Sequence, residues 1–117
     1  MITIVEMKSY QTDADRLFTE DERQELADFI AANPDFGDLI PGTGGVRKLR
    51  WRAKGSGKRG GARVIYYFRD LNMPVFLLAV YAKGEKINLT NAERNAMAAL
   101  VKNLAHEYQS KVHGVSS

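Results

Sequence analysis

Four basic residues and four glycines share the ten positions of "KGSGKRGGAR", residues 54 to 63. Glycine lets main chain come close to a phosphate, and lysine and arginine neutralise it. The "GSGK" within it echoes a nucleotide-binding P-loop, which requires G-x-x-x-x-G-K-[ST] between a strand and a helix. Here Arg52 stands at the first glycine position and Arg59 at the hydroxyl position, where it cannot ligate magnesium. The segment also precedes a strand-like run, so no helix N-terminus faces its amides. A nucleotide triphosphate site is therefore excluded. The preceding run adds Arg47, Lys48, Arg50 and Arg52 to Lys54, Lys58, Arg59 and Arg63. Such density fits a mobile cationic arm on a nucleic-acid backbone, the alternative being a solvated loop that only confers solubility.

Aromatic residues flank these cations. Trp51 precedes the glycine-rich run, and Tyr66, Tyr67, Phe68 and Tyr81 follow it. Rings beside a cationic groove can stack unpaired bases, although core packing accounts for most of them. Consecutive strand residues point to opposite faces, so one of Tyr66 and Tyr67 is expected to face away from the core. Tyr81, two residues before Lys83, is the preferred exposed ring. Other catalytic sets are missing. His106 and His113 lie far along the chain from the basic run, against a paired-histidine ribonuclease. The acids from Glu20 to Asp28 have no histidine or cysteine pattern beside them, so no metal site and no cofactor is expected.

The charges are unevenly shared along the chain. Ten of the 14 acids fall at or before Asp38, while 14 of the 17 basic residues follow it. An acidic third followed by a basic remainder suggests a polyanionic partner, unless the two parts neutralise each other across the fold. At 117 residues the whole chain, 1–117, reads as one domain. It has no cysteine, which removes disulfides and thiolate chemistry and fits a reducing cytoplasm. No apolar run approaches the ~20 residues of a membrane span, and "MITIVEMKSY" lacks the basic start of a signal peptide.

The elements that must position these residues follow from periodicity. "ITIVE" (2–6) suits a strand, and residues 8–18 are ambiguous, with a helical turn ending in Leu17 and Phe18 as one reading. "TEDERQELADFIAANP" predicts a helix, with a Thr19–Glu22 capping box, an apolar stripe of Leu26, Phe29 and Ile30, and a stop at Asn33-Pro34. "DFGDLIPGTGG" reads as loop. Three strands follow. "VRKLRWR" (46–52) places Lys48, Arg50 and Arg52 on one face and Leu49 and Trp51 on the other, "ARVIYYFRD" (62–70) is rich in β-formers, and "PVFLLAVYA" (74–82) is apolar on both faces. "LTNAERNAMAALVKNLAHEY" predicts a last helix with a Thr90–Glu93 capping box and a stripe of Met97, Leu100, Val101, Leu104 and Tyr108. The tail "SKVHGVSS" is expected to fray. The fold class is α+β, with helices on a mostly antiparallel four-stranded sheet.

"GTGGVRKLR", "KGSGKRGGARVIYYF", a strand ending "VYAKGE", and "LTNAE" opening the last helix follow one another in an order that resembles the RelE/HigB-type toxins of bacterial toxin–antitoxin pairs, within the RelE/ParE superfamily. The likeness spans roughly residues 26 to 108. It implies two N-terminal helices and a C-terminal helix on the sheet, and ribosome-dependent, metal-free cleavage of messenger RNA in the A site. It also implies a cognate antitoxin, in many such systems carrying a helix-turn-helix domain through which alone operator DNA is reached. That chemistry is attack of a ribose 2′-hydroxyl on the adjacent phosphate, which needs a base, charge stabilisation and an acid. The likeness carries catalytic roles to Lys48, Arg50, Arg63, Tyr81 and Lys83, while the basic patch itself puts Arg47, Arg52, Lys54, Lys58 and Arg59 on RNA backbone. Residues 84–90, "GEKINLT", lack the late tyrosine of the RelE type, which leaves base and acid to Tyr81, Lys83 or Lys54. Two alternatives share the pattern: a ParE-like gyrase inhibitor on the same fold, and an RNA- or ribosome-binding module without catalysis.

Overall fold

The computed structural model describes residues 2–52, 61–85 and 88–116, with side chains through Tyr108. Lys54, Lys58 and Arg59 therefore lie outside the described residues. The elements are β1 (Ile4–Glu6), α1 (Lys8–Leu17), α2 (Glu20–Ala32), β2 (Asp38–Leu39), β3 (Val46–Trp51), β4 (Ala62–Tyr67), β5 (Val75–Ala82) and α3 (Asn91–Ser116). They form one sheet in the order β1-β5-β4-β3-β2. Among the described residues only the β1–β5 pairing is parallel. The α+β class and mostly antiparallel sheet agree with the sequence, but the sheet has five strands rather than four.

The added strand, β2, falls in the segment read as loop. Its two residues are both exposed, so no apolar alternation marks them. Backbone pairing to β3, Asp38 with Lys48 and Leu39 with Arg47, makes them a strand. The turn that follows is built by Thr43, fully buried, whose hydroxyl donates to the Ile40 carbonyl (2.6 Å) and accepts from the Val46 amide (3.1 Å). Gly44 and Gly45, at φ 77° and 119°, supply left-handed conformations that side chains rarely adopt.

Helices cover both faces of the sheet. Tyr10, Ala14 and Leu17 of α1, with Leu26 and Ile30 of α2, pack on Leu49, Val64, Tyr66, Leu77 and Val80. On the opposite face Val101 of α3, with Met97, Leu104 and Tyr108, meets Val46, Ile65, Tyr67 and Leu78. Because both faces are covered, Tyr66 and Tyr67 are both buried, 0% and 4% exposed, although they point in opposite directions. The expectation that one of them faces away from the core assumed a sheet with one dry side.

Local chemistry explains the helix ends. Both expected capping boxes form: Thr19 with Glu22 at α2, and Thr90 with Glu93 at α3. By contrast α1, one of the two N-terminal helices that the resemblance implies and that residues 8–18 alone left ambiguous, has Met7 at its N-cap, which provides no side-chain cap. Its anchoring is tertiary, through buried Tyr10, Ala14 and Leu17 at i, i+4, i+7 spacing and a 2.6 Å bond from the Ser9 hydroxyl to the Leu78 carbonyl. Helix α3 continues to Ser116, past the expected end at Tyr108. No proline interrupts that stretch, so nothing in the sequence forces an earlier stop.

Glu6, Asp13 and Asp15 of the N-terminal third find arginine partners within it. Arg23 pairs with Glu6 at 2.8 Å and with Asp15, joining β1, α1 and α2. Arg16 pairs with Asp13 at 3.3 Å and Glu85 at 3.1 Å. Among the described residues no ion pair joins these acids to Lys48 or Arg50, so neutralisation of the acidic third by the basic strand does not occur by contact.

Candidate functional site

Strand alternation and register place the cations of β3 and β4. Counting from buried Leu49, which faces α1 and α2, Lys48 and Arg50 fall on the α3 side of β3. Arg50 lies opposite Arg63 of β4, and Arg63 opposite Tyr81 of β5, so Arg50, Arg63 and Tyr81 form one row across three strands. Opposed residues in such a row are separated by about 4.5–5.5 Å between Cα atoms. Like charges directly opposite one another are destabilising taken by themselves. The sequence therefore accepts a local cost to gather cations here.

That face opens into a cleft of about 130 Å³ lined by Lys48, Arg63, Ile65 and Tyr81 from the sheet. Leu39, Ile40 and Pro41 form one wall, and Asn88, Leu89 and Arg94 reach it from the approach to α3 and its first turn. Among the described residues no carboxylate lines it. Asp38, opposite Lys48 in the β2–β3 register, forms no ion pair with that lysine among the described residues. The result is a cationic pocket with an apolar wall and one phenol, suited to an anion joined to a flatter, less polar group.

The walls are fixed by bonds outside the cleft. The Tyr66 hydroxyl accepts from the Gly37 amide (2.8 Å) and donates to the Pro34 carbonyl (2.9 Å). Burial pushes this phenol upward from its ordinary value, and the Gly37 amide opposes that shift. The Arg47 guanidinium donates to the carbonyls of Asp35 (3.0 Å) and Gly37 (2.7 Å). Together these two side chains hold the segment that enters β2. The turn after β5 is braced in a similar way. The Glu85 carboxylate accepts from the Ala82 amide (2.6 Å) and from Arg16 (3.2 Å), which holds it below the usual carboxylate range.

Of the residues singled out in the sequence, Lys48, Arg63 and Tyr81 line the cleft together. Arg50 lies in the row beside Arg63 without lining it, and Arg52 is exposed just past the end of β3. Lys83 is exposed in the turn after β5, where its amide donates to the Gly61 carbonyl at 3.1 Å. Arg47 points its guanidinium to the Asp35–Gly37 segment instead of the cleft. Trp51 packs at 5.2 Å from Phe29, with its indole N–H on the Glu22 carbonyl, on the α1–α2 side.

Sequence reasoning missed Arg94. Its signal was present: Arg94 stands three residues before Met97, at the head of the core-facing stripe, where a charge is out of keeping with its neighbours.

The model of the RelE toxin of the RelE / RelB toxin-antitoxin system matches residues 35–116, more than half of the chain. The chain belongs to the RelE toxin family. Every residue lining the cleft lies within the RelE match, as do β2, β3, β4, β5 and α3. The protein is accordingly a toxin of a toxin–antitoxin system, with an antitoxin as its partner. Helices α1 and α2, which carry most of the acidic third, precede the RelE match. No helix among the described residues is long and apolar enough to cross a membrane.

Proposed function

We propose that this RelE-family toxin is a ribosome-dependent endoribonuclease that cuts messenger RNA in the A site and so stops translation. The observation that carries the reading is the meeting of Lys48, Arg63 and Tyr81, from three adjacent strands, in one cleft with no carboxylate among the described residues that line it. An electrode of fixed positive charge in a partly dry cleft is what a phosphate needs as it gains charge in the transition state.

In this reading Lys48 and Arg63 hold the non-bridging oxygens of the scissile phosphate, and Arg50 adds to the field from the same row. The 2′-hydroxyl loses its proton and its oxygen attacks the phosphorus. The phosphorane collapses by breaking the bond to the 5′-oxygen, which takes up a proton. The products are a 2′,3′-cyclic phosphate and a 5′-hydroxyl end. Tyr81 orients the flanking base or ribose, and Lys83, at the edge of the same strand end, exchanges a proton. Side-chain cations supply the charge stabilisation, so the reaction proceeds in the presence of a chelator. Arg52, with Lys54, Lys58 and Arg59, holds RNA backbone outside the cleft, while Arg47 supports the wall. The antitoxin carries a helix-turn-helix domain, and both partners act in the cytoplasm.

Substitution Arg63→Ala tests the assignment. The variant should fold and bind its antitoxin, yet no longer inhibit growth; undiminished toxicity would remove Arg63 from the site. Growth arrest with a DNA-damage response and intact transcripts would instead favour gyrase as the target.

A further inference from the structure

Arg94 occupies a place where a cation is costly. It heads the α3 stripe continued by Met97, Val101, Leu104 and Tyr108, the face that packs on the sheet. Its side chain is half-buried, and its buried Nε has no hydrogen-bond partner among the described residues. A buried donor left unpaired costs roughly 1–3 kcal/mol. Among the described residues no carboxylate lines the cleft to neutralise it, and the other cations there are Lys48 and Arg63. An arginine with an unmet donor, turned into a cleft with two further cations, is suited to an anion that offers several acceptor oxygens.

Local structure fixes where this guanidinium starts. The Thr90–Glu93 capping box sets the first turn of α3, and the Arg94 amide closes on the Thr90 carbonyl at 3.0 Å. That turn also carries the positive end of the helix dipole, which favours an anion in front of it. Lys48 and Arg63 approach the cleft from the sheet, and Arg94 approaches it from the helical layer. A phosphate held by all three would tie the two layers together.

We propose that Arg94 is a substrate-binding residue that contacts an RNA phosphate in the cleft opposite Lys48 and Arg63. The inference rests on the RNA reading of the cleft given above. It assigns α3 a direct part in holding substrate, in addition to covering the sheet.

The test uses the full-length toxin, freed of antitoxin, and a single-stranded RNA protected by 2′-O-methyl groups, with binding followed by fluorescence anisotropy over a range of salt. Arg94→Ala should weaken binding by about tenfold and lower the slope of log affinity against log salt by about 0.7, the value for one lost phosphate contact on a single strand. Arg94→Lys should keep the slope while losing part of the affinity, because charge is retained without the fork. A merely structural role would change thermal stability but leave the slope intact. If Arg94→Ala loses its fold, Arg94→Gln serves as the second variant with the same expectation. Loss of binding in Arg63→Ala together with wild-type affinity and slope in the Arg94 variant overturns the inference and leaves the cleft reading standing. Absence of binding overturns the inference, and binding insensitive to both substitutions overturns the two together.

Discussion

Removing one oxygen atom, by Tyr66→Phe, should expose how the cleft wall is held. The Tyr66 hydroxyl is buried and bonded on both sides, to the Gly37 amide at 2.8 Å and the Pro34 carbonyl at 2.9 Å. Phenylalanine fits the same space, so no large cavity opens and the loss is confined to hydrogen bonding. Gly37 is itself buried, so its N–H is left without a partner at roughly 1–3 kcal/mol, and the Pro34 carbonyl forfeits a bond of about 0.5–1.5 kcal/mol. The sum, about 1.5–4.5 kcal/mol, is a large part of a typical domain's stability. With about 4 °C lost per kcal/mol for a chain of this size, Tm should fall by about 6–18 °C. Urea unfolding followed by circular dichroism is the assay, and the midpoint should drop with an unchanged slope. A loss below about 0.5 kcal/mol would refute the reasoning, because both groups would then have to be satisfied by water or by a shifted segment.

Three further outcomes follow from the same structure. Gly37→Ala should be at least as damaging as Tyr66→Phe, since a Cβ there would lie 2.7 Å from the Tyr66 hydroxyl and 2.8 Å from the Lys48 carbonyl, and backbone cannot step aside; wild-type Tm in this variant would contradict it. Thr90→Ala should cost about 1 kcal/mol by removing the α3 cap, measured by thermal unfolding, with toxicity reduced because Arg94 sits in the turn that the cap organises. Burial raises the phenols of Tyr10, Tyr66 and Tyr67 above their ordinary value of 10.0. A group raised in the folded state stabilises fully below its unfolded value and loses that contribution as pH climbs through the folded one. Stability should therefore hold to about pH 10 and decline above it, with phenolate absorbance from these tyrosines rising together with unfolding; their ionisation in a still-folded protein would contradict the assigned burial.

Much of the frame could be read from local signals. The two capping boxes fixed where α2 and α3 begin, and alternation along residues 46–52 put Lys48 and Arg50 on one face, as the register bears out. What escaped notice depended on distant partners. Strand β2 is exposed on both residues and exists through pairing with β3, so no periodicity betrays it. Tyr67 is buried because α3 returns to cover its face, a fact no window around residue 67 contains. The direction of the Arg47 guanidinium is set by carbonyls ten and twelve residues away. Arg94 was legible in principle, as a charge at the head of an apolar stripe, yet its meaning came only when the cleft placed it with Lys48 and Arg63.

The central claim, that the cleft cuts translated messages, is tested most directly by mapping the 5′ ends of cellular transcripts shortly after induction, with Arg63→Ala induced in parallel. The account predicts new 5′-hydroxyl ends within coding regions, in register with codons, dependent on translation and missing from the Arg63→Ala cells. Growth arrest by the wild-type toxin with transcripts left whole would contradict it.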